Sequence, residues 1–142
     1  MRKIKLSNIK TIIVMLLILI GIVILGSVLQ TKRITSFCDN DANRISRIDI
    51  MNGNNGEIIS VDNKDIIKDI STYLSKLKLK KVVLPASTGW TYRLSVIENG
   101  KEVLNMTFNG DEYCKINDVK YKIKRSTDVS IYQLYDKAKE LE

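Results

Sequence analysis

The stretch "DNDAN", Asp39 to Asn43, spaces its oxygen donors as D-x-D-x-N, the opening of a calcium loop. The sixth position of such a loop requires glycine for its sharp turn, and the twelfth a chelating glutamate. Here those positions are Arg44 and Ile50, so the calcium reading fails. Asp111 and Glu112 are adjacent carboxylates, the arrangement a glycosidase would need brought to a cleft, but they fall in an expected turn. The chain has no histidine. That excludes Ser-His-Asp and Cys-His nucleophiles, imidazole proton shuttles and histidine-containing zinc sites. Two cysteines far apart in sequence cannot supply a Cys-only zinc site. The residues therefore point to no catalytic, cofactor or metal chemistry, and the chain is read as a binding protein and not an enzyme.

Cys38 and Cys114 could form a disulfide outside the cytoplasm, provided the polar segment carrying Cys38 folds back over the core. Alternation places Cys114 on an apolar strand face, where an unpaired cysteine behaves as a small hydrophobe.

The surface chemistry with functional promise is cationic. Arg93, Lys115, Lys120, Lys122 and Lys124, with Tyr113 among them, fall on the polar side of alternating strands. Such a face would attract teichoic acids or anionic lipid head groups. The competing reading is that alternate lysines on a terminal strand keep an exposed edge soluble. Trp90, Tyr92, Phe108 and Tyr121 alternate with polar residues and are assigned to the core. "NMT" at Asn105 is a glycosylation sequon placed mid-strand. "LPASTG" separates Pro85 from Thr88 by two residues, so it is not an L-P-x-T-G sorting signal; Pro85 reads as the end of a short strand and Gly89 as a turn.

The formal charge of +7 comes from 23 Lys and Arg against 16 Asp and Glu. Six of the cations, Arg2, Lys3, Lys5, Lys10, Lys32 and Arg33, precede residue 34, leaving 17 against 16 beyond it. The excess flanks an apolar run and is a topology signal, so no nucleic-acid partner is implied. Residues 11–29, "TIIVMLLILIGIVILGSVL", are uncharged and include 14 Ile, Leu or Val. As a helix of about 1.5 Å per residue they span roughly 28 Å, close to the bilayer core. A secretory signal has a shorter apolar region and a small-x-small cleavage site, and a lipoprotein leader needs a cysteine directly after it. Neither is present, so the run is read as an uncleaved anchor in the lipid bilayer. The basic residues before it put residues 1–10 in the cytoplasm and the rest outside.

Residues 30–44 read as a juxtamembrane linker and 45–142 as an extracytoplasmic domain. "ISRIDIMNG", the turn "NGNNG" and "EIISV" form a hairpin. Ile66, Ile70, Tyr73, Leu74 and Leu77 are spaced as the buried face of a helix with Asp62 as N-cap, and Lys76, Lys78, Lys80 and Lys81 near its C-terminal end. Period-two segments follow: "KVVL", "WTYRLSVI", "KEVLNMTF", "YCKIN" and "VKYKIKR". A closing helix places Ile131, Leu134, Tyr135, Ala138 and Leu141 inward, capped by Ser126 or Thr127.

Parity fixes a register, because residues opposite one another share a face. A three-residue loop Glu98-Asn99-Gly100 pairs Leu94 with Leu104, Tyr92 with Met106 and Trp90 with Phe108. A loop Asn109-Gly110-Asp111 pairs Met106 with Cys114, and a two-residue Asn117-Asp118 turn pairs Ile116 with Val119 and Cys114 with Tyr121. The expected fold class is α+β: an N-terminal transmembrane helix, then a two-layer domain, mainly antiparallel sheet, with two helices on one face.

The helix "IIKDISTYLSKL", the strand "GWTYRLSVIENG" and "YKI" before a final helix resemble small extracytoplasmic domains of unknown function in Gram-positive bacteria, found behind a membrane anchor or lipoprotein signal. The resemblance covers residues 45–142 and transfers no catalytic residue. The chain as a whole is read as a single-pass membrane protein whose exterior domain binds a protein or an anionic envelope polymer without catalysis. The alternative is a membrane-anchored immunity or inhibitor protein.

Overall fold

The computed structural model describes residues 6–83, 89–124 and 128–141. The chain forms two compact units, Met1–Gln30 and Thr31–Glu142. The first is helix α1, Leu6–Leu29. Its stretch Ile9–Ser27 is long and apolar enough to cross a membrane, and none of it is buried within the protein. A signal sequence near an N-terminus has the same character.

The second unit is α+β. Its strands are β1 (Thr31–Arg33), β2 (Ile45–Asn52), β3 (Ile58–Val61), β4 (Lys78–Lys81), β5 (Tyr92–Glu98), β6 (Lys101–Asn109), β7 (Tyr113–Ile116) and β8 (Val119–Lys124). They form one antiparallel sheet in the order β1-β4-β8-β7-β6-β5-β2-β3. Helices α2 (Lys64–Lys76) and α3 (Ile131–Lys139) complete it. Alternate strand residues, among them Ile48, Ile50, Leu79, Leu94, Met106, Phe108, Cys114, Tyr121 and Ile123, are buried in one core with Ile66, Ile67, Ile70 and Leu74 of α2 and Ile131, Leu134 and Tyr135 of α3.

Residues 31–44 are not the free linker expected from their polarity. Thr31, Lys32 and Arg33 pair with Lys80, Leu79 and Lys78 of β4. A 3-10 turn at Ile34–Ser36 then buries Ile34 completely. The Phe37 ring meets Tyr121 edge to face, with centroids 5.7 Å apart. Buried Asn40 donates from Nδ2 to the Ser71 carbonyl at 2.9 Å, tying the segment to α2. Two large apolar residues in a segment of fourteen give no periodicity, yet Ile34 and Phe37 suffice to anchor it.

Both helix caps differ from expectation. Asn63, not Asp62, caps α2, its side chain accepting from the amides of Asp65 and Ile66. Ser130 caps α3 in a capping box with Gln133, so the helix starts later than the Ser126 or Thr127 cap expected, and those two residues lie outside the described ones. Leu141, expected inward, lies beyond α3 and is exposed. The run Lys78–Lys81, expected at the end of α2, is strand β4: α2 stops at Lys76 because Leu77 turns to extended backbone.

The hairpin registers match in parity and differ in detail. The pairings Ile116 with Val119 and Cys114 with Tyr121 stand as expected, and in the β2–β3 hairpin Ile48 opposes Val61 and Ile50 opposes Ile59. In the β5–β6 hairpin, however, the loop is the two-residue Asn99-Gly100, both residues at positive φ, with Glu98 opposite Lys101. A bulge after Val96 restores the apolar face, so Val96 opposes Leu104, Leu94 opposes Met106 and Tyr92 opposes Phe108. A bulge inserts the same extra residue as a three-residue loop and leaves parity unchanged, which is why the sequence pattern cannot separate the two. The three-residue loop after β6 is Gly110-Asp111-Glu112, which sets Phe108 opposite Cys114 and Met106 opposite Ile116.

The C-terminal helix is fastened to the β2–β3 hairpin by charge. Glu57 Oε2 accepts from Lys139 Nζ at 2.7 Å and from Tyr135 OH at 2.9 Å. Asp69 of α2 meets Lys137 of α3 at 2.6 Å.

Candidate functional site: a cationic sheet face

Strand pairing places the cations on one side of the sheet. Arg33 opposes Lys78, and Lys78 opposes Lys124. Lys80 opposes Lys122, and Lys122 opposes Tyr113. Lys120 opposes Lys115, Lys115 opposes Thr107, and Thr107 opposes Arg93. Directly opposed residues share a face, so Arg33, Lys78, Lys80, Arg93, Lys115, Lys120, Lys122 and Lys124 all point away from the core. Neighbouring strands stand about 4.8 Å apart and alternate residues about 6.8 Å apart, which sets the mesh of this charge lattice.

The expected residues Arg93, Tyr113, Lys115, Lys120, Lys122 and Lys124 are thus brought together. Three more cations join them. Lys78 and Lys80 belong to the lattice because "LKLKK" is a strand with Leu77 and Leu79 buried, although following a helix it reads as that helix's basic end. Arg33 joins through β1. The terminal-strand explanation of the lysines does not fit this topology, since β8 is flanked by β4 and β7.

The charges meet unfavourably within the protein. Arg33–Lys78, Lys78–Lys124 and Lys80–Lys122 are like-charge pairs directly across neighbouring strands, whereas in the Lys115–Lys120 pair a carboxylate offsets the charge. Like charges directly opposite one another destabilise a sheet. Lys115 also meets Asp118 at 2.7 Å, which holds that carboxyl below its ordinary range.

At one end of the lattice lies a cleft of about 200 Å³ lined by Trp90, Arg93, Thr107, Tyr113, Lys115 and Lys120. Trp90 does not begin the inner face of the sheet as its alternation implied. It precedes β5 and is 36 % exposed. The guanidinium of Arg93 lies 5.1 Å from its ring centroid, and Lys122 Nζ lies 5.9 Å from the Tyr113 ring. Tyr92, Phe108 and Tyr121 are buried, as their alternation requires. The residues around Pro85 lie outside the described ones.

Both cysteines are free thiols. The segment bearing Cys38 does fold back onto the core, but it does so beside Arg44, Glu98 and Val103. Cys114 is buried on the apolar face, opposite Phe108 on one side and Tyr121 on the other. The Cys38–Cys114 disulfide that the sequence allows is not formed in this structure. Burial pushes the Cys114 thiol up to about 12 and also raises that of Cys38, so neither is an activated nucleophile.

Among the described residues, no group of three His, Cys, Asp or Glu could hold a metal ion. No family model matches the chain, and neither a curated protein nor a solved structure is a match for it.

Proposed function

We propose that the protein is a single-pass envelope protein whose exterior domain binds a phosphate-rich envelope polymer without catalysis. Helix α1 anchors it, with the basic residues before the apolar run on the cytoplasmic side and Thr31 onward outside. The two helices cover one face of the sheet and leave the other to the ligand, completing a two-layer domain.

A set of like-charge pairs across β1, β4 and β8 supports this reading. Surface solubility asks only for charge, and alternating signs would supply it with favourable pairs. Repulsion kept across three neighbouring strands has a use when an external anion neutralises it. The lattice suits a chain of phosphates, which bridges neighbouring ammonium groups as point charges while Arg33 and Arg93 take two oxygens each.

The test is sedimentation of the full chain, in nanodiscs of zwitterionic lipid, with purified teichoic acid. Wild-type protein is expected to co-sediment at low salt and to release as salt rises. Replacing Lys120, Lys122 and Lys124 together by Ser is expected to abolish it. Absence of salt-sensitive binding by the wild type overturns the reading.

A further inference from the structure

We infer that the cleft walled by Trp90 and Tyr113 is a subsite for a sugar carried on a phosphodiester backbone, so that the face discriminates among polyanions by their carbohydrate. This rests on the polymer-binding reading above and deepens it.

Charge alone requires no aromatic side chain in the lattice, and an exposed indole there does nothing to attract an anion. Yet Trp90 is held firmly in place. A Cβ on Gly53 would stand 2.6 Å from the Trp90 carbonyl oxygen and 2.8 Å from its ring atom Cε3, so the glycine makes room for the tryptophan. The next residue, Thr91, is pinned from three sides: its carbonyl accepts from Gly53 N at 2.7 Å, its amide donates to the Phe108 carbonyl at 2.8 Å, and its hydroxyl accepts from Gly110 N at 3.2 Å. A ring fixed before binding loses little entropy on contact.

The walls and floor divide the work. Sugar C–H groups carry partial positive charge and stack on the negative face of an aromatic ring. Arg93 lies over the Trp90 ring and Lys122 over the Tyr113 ring, so each ring carries a cation on one face, within reach of a phosphate linked to a sugar stacked on the rest of the ring. Lys115 and Lys120, opposed across β7 and β8, and the Thr107 hydroxyl offer donors to its oxygens. At about 200 Å³ the cleft is smaller than the pockets that enclose drug-sized ligands, which fits one repeat unit of a longer chain.

Isothermal titration of the full chain in zwitterionic nanodiscs would compare two probes of matched charge: a glycosylated polyol-phosphate polymer and inorganic polyphosphate. The sugar-bearing polymer is expected to bind about fivefold tighter or more, the scale of one aromatic contact. Trp90→Leu is expected to equalise the two, and Trp90→Phe to retain the preference. Replacing Lys122 and Lys124 by Ser is expected to weaken both probes alike. Equal wild-type affinities, or a preference untouched by Trp90→Leu, overturn the subsite and leave the polymer reading standing. Binding of neither probe overturns both, and binding only to phosphatidylglycerol vesicles overturns both in favour of a lipid surface.

Discussion

Lys80 lies directly opposite Lys122 in the β4–β8 ladder, and both ammonium groups stand on the side of the sheet away from the core. Lys122→Glu turns this pair into an attractive one. Domain stability is expected to rise by about 0.2–1 kcal/mol, read as a higher melting temperature at low salt that converges on wild type at high salt. Polymer binding is expected to fall in the same variant. A gain in stability with loss of binding identifies the repulsion as kept for the ligand.

Ile34 is fully buried in a segment whose composition suggests a linker. Ile34→Ala is expected to destabilise the domain by about 2–5 kcal/mol, the usual range for emptying a buried aliphatic site. Starting an expressed chain at residue 45 removes Ile34, Phe37 and β1 together, and is expected to yield a poorly folded product by circular dichroism and proteolysis. A chain starting at Thr31 is expected to be protected.

Glu57 is held below its ordinary value of 4.5, first by the hydrogen bond from Lys139 and then by that from Tyr135. A depressed carboxylate contributes stability that is present above its unfolded value and lost as pH falls through the folded one. Lys139 is raised by the same contact, so its contribution is full below its ordinary value of 10.5 and is lost as pH rises through its higher folded value. Docking of α3 is expected to loosen at both extremes. Amide exchange in Ile131–Lys139 is the readout, and Glu57→Gln is expected to flatten the acid limb.

Free Cys38 and buried Cys114 predict an intact mass unchanged by reductant. In native buffer near pH 8 Cys114 is expected to resist alkylation, because burial holds its thiol at about 12, and to react once the protein is denatured. A gain of two protons on reduction would show a bond that this fold does not contain.

Much of the fold can be read from alternation. Ile48, Ile50, Leu94, Met106, Phe108, Cys114 and Ile116 each lie on the apolar face where period two puts them. What alternation cannot resolve is any feature that conserves parity, and the bulge after Val96 is such a feature. It also cannot assign neighbours. β4 is separated from β8 by about forty residues, and Lys78 and Lys80 join the cationic face only through that long-range pairing. Trp90 escaped because alternation was extended one step past the start of β5, where Thr91 turns the chain by binding Phe108 and Gly53.

The cations of β1, β4, β7 and β8 are expected to act together on a polyanion, and salt dependence is the most direct measure of it. The affinity of the full chain for inorganic polyphosphate, measured from about 50 to 200 mM salt, is expected to fall along a straight line in log–log form, with a slope that counts the phosphates neutralised. Single serine substitutions at Lys80, Lys122 and Lys124 are each expected to shallow the slope by a similar step. A slope near zero in the wild type, or one that the three substitutions leave unchanged, would contradict it.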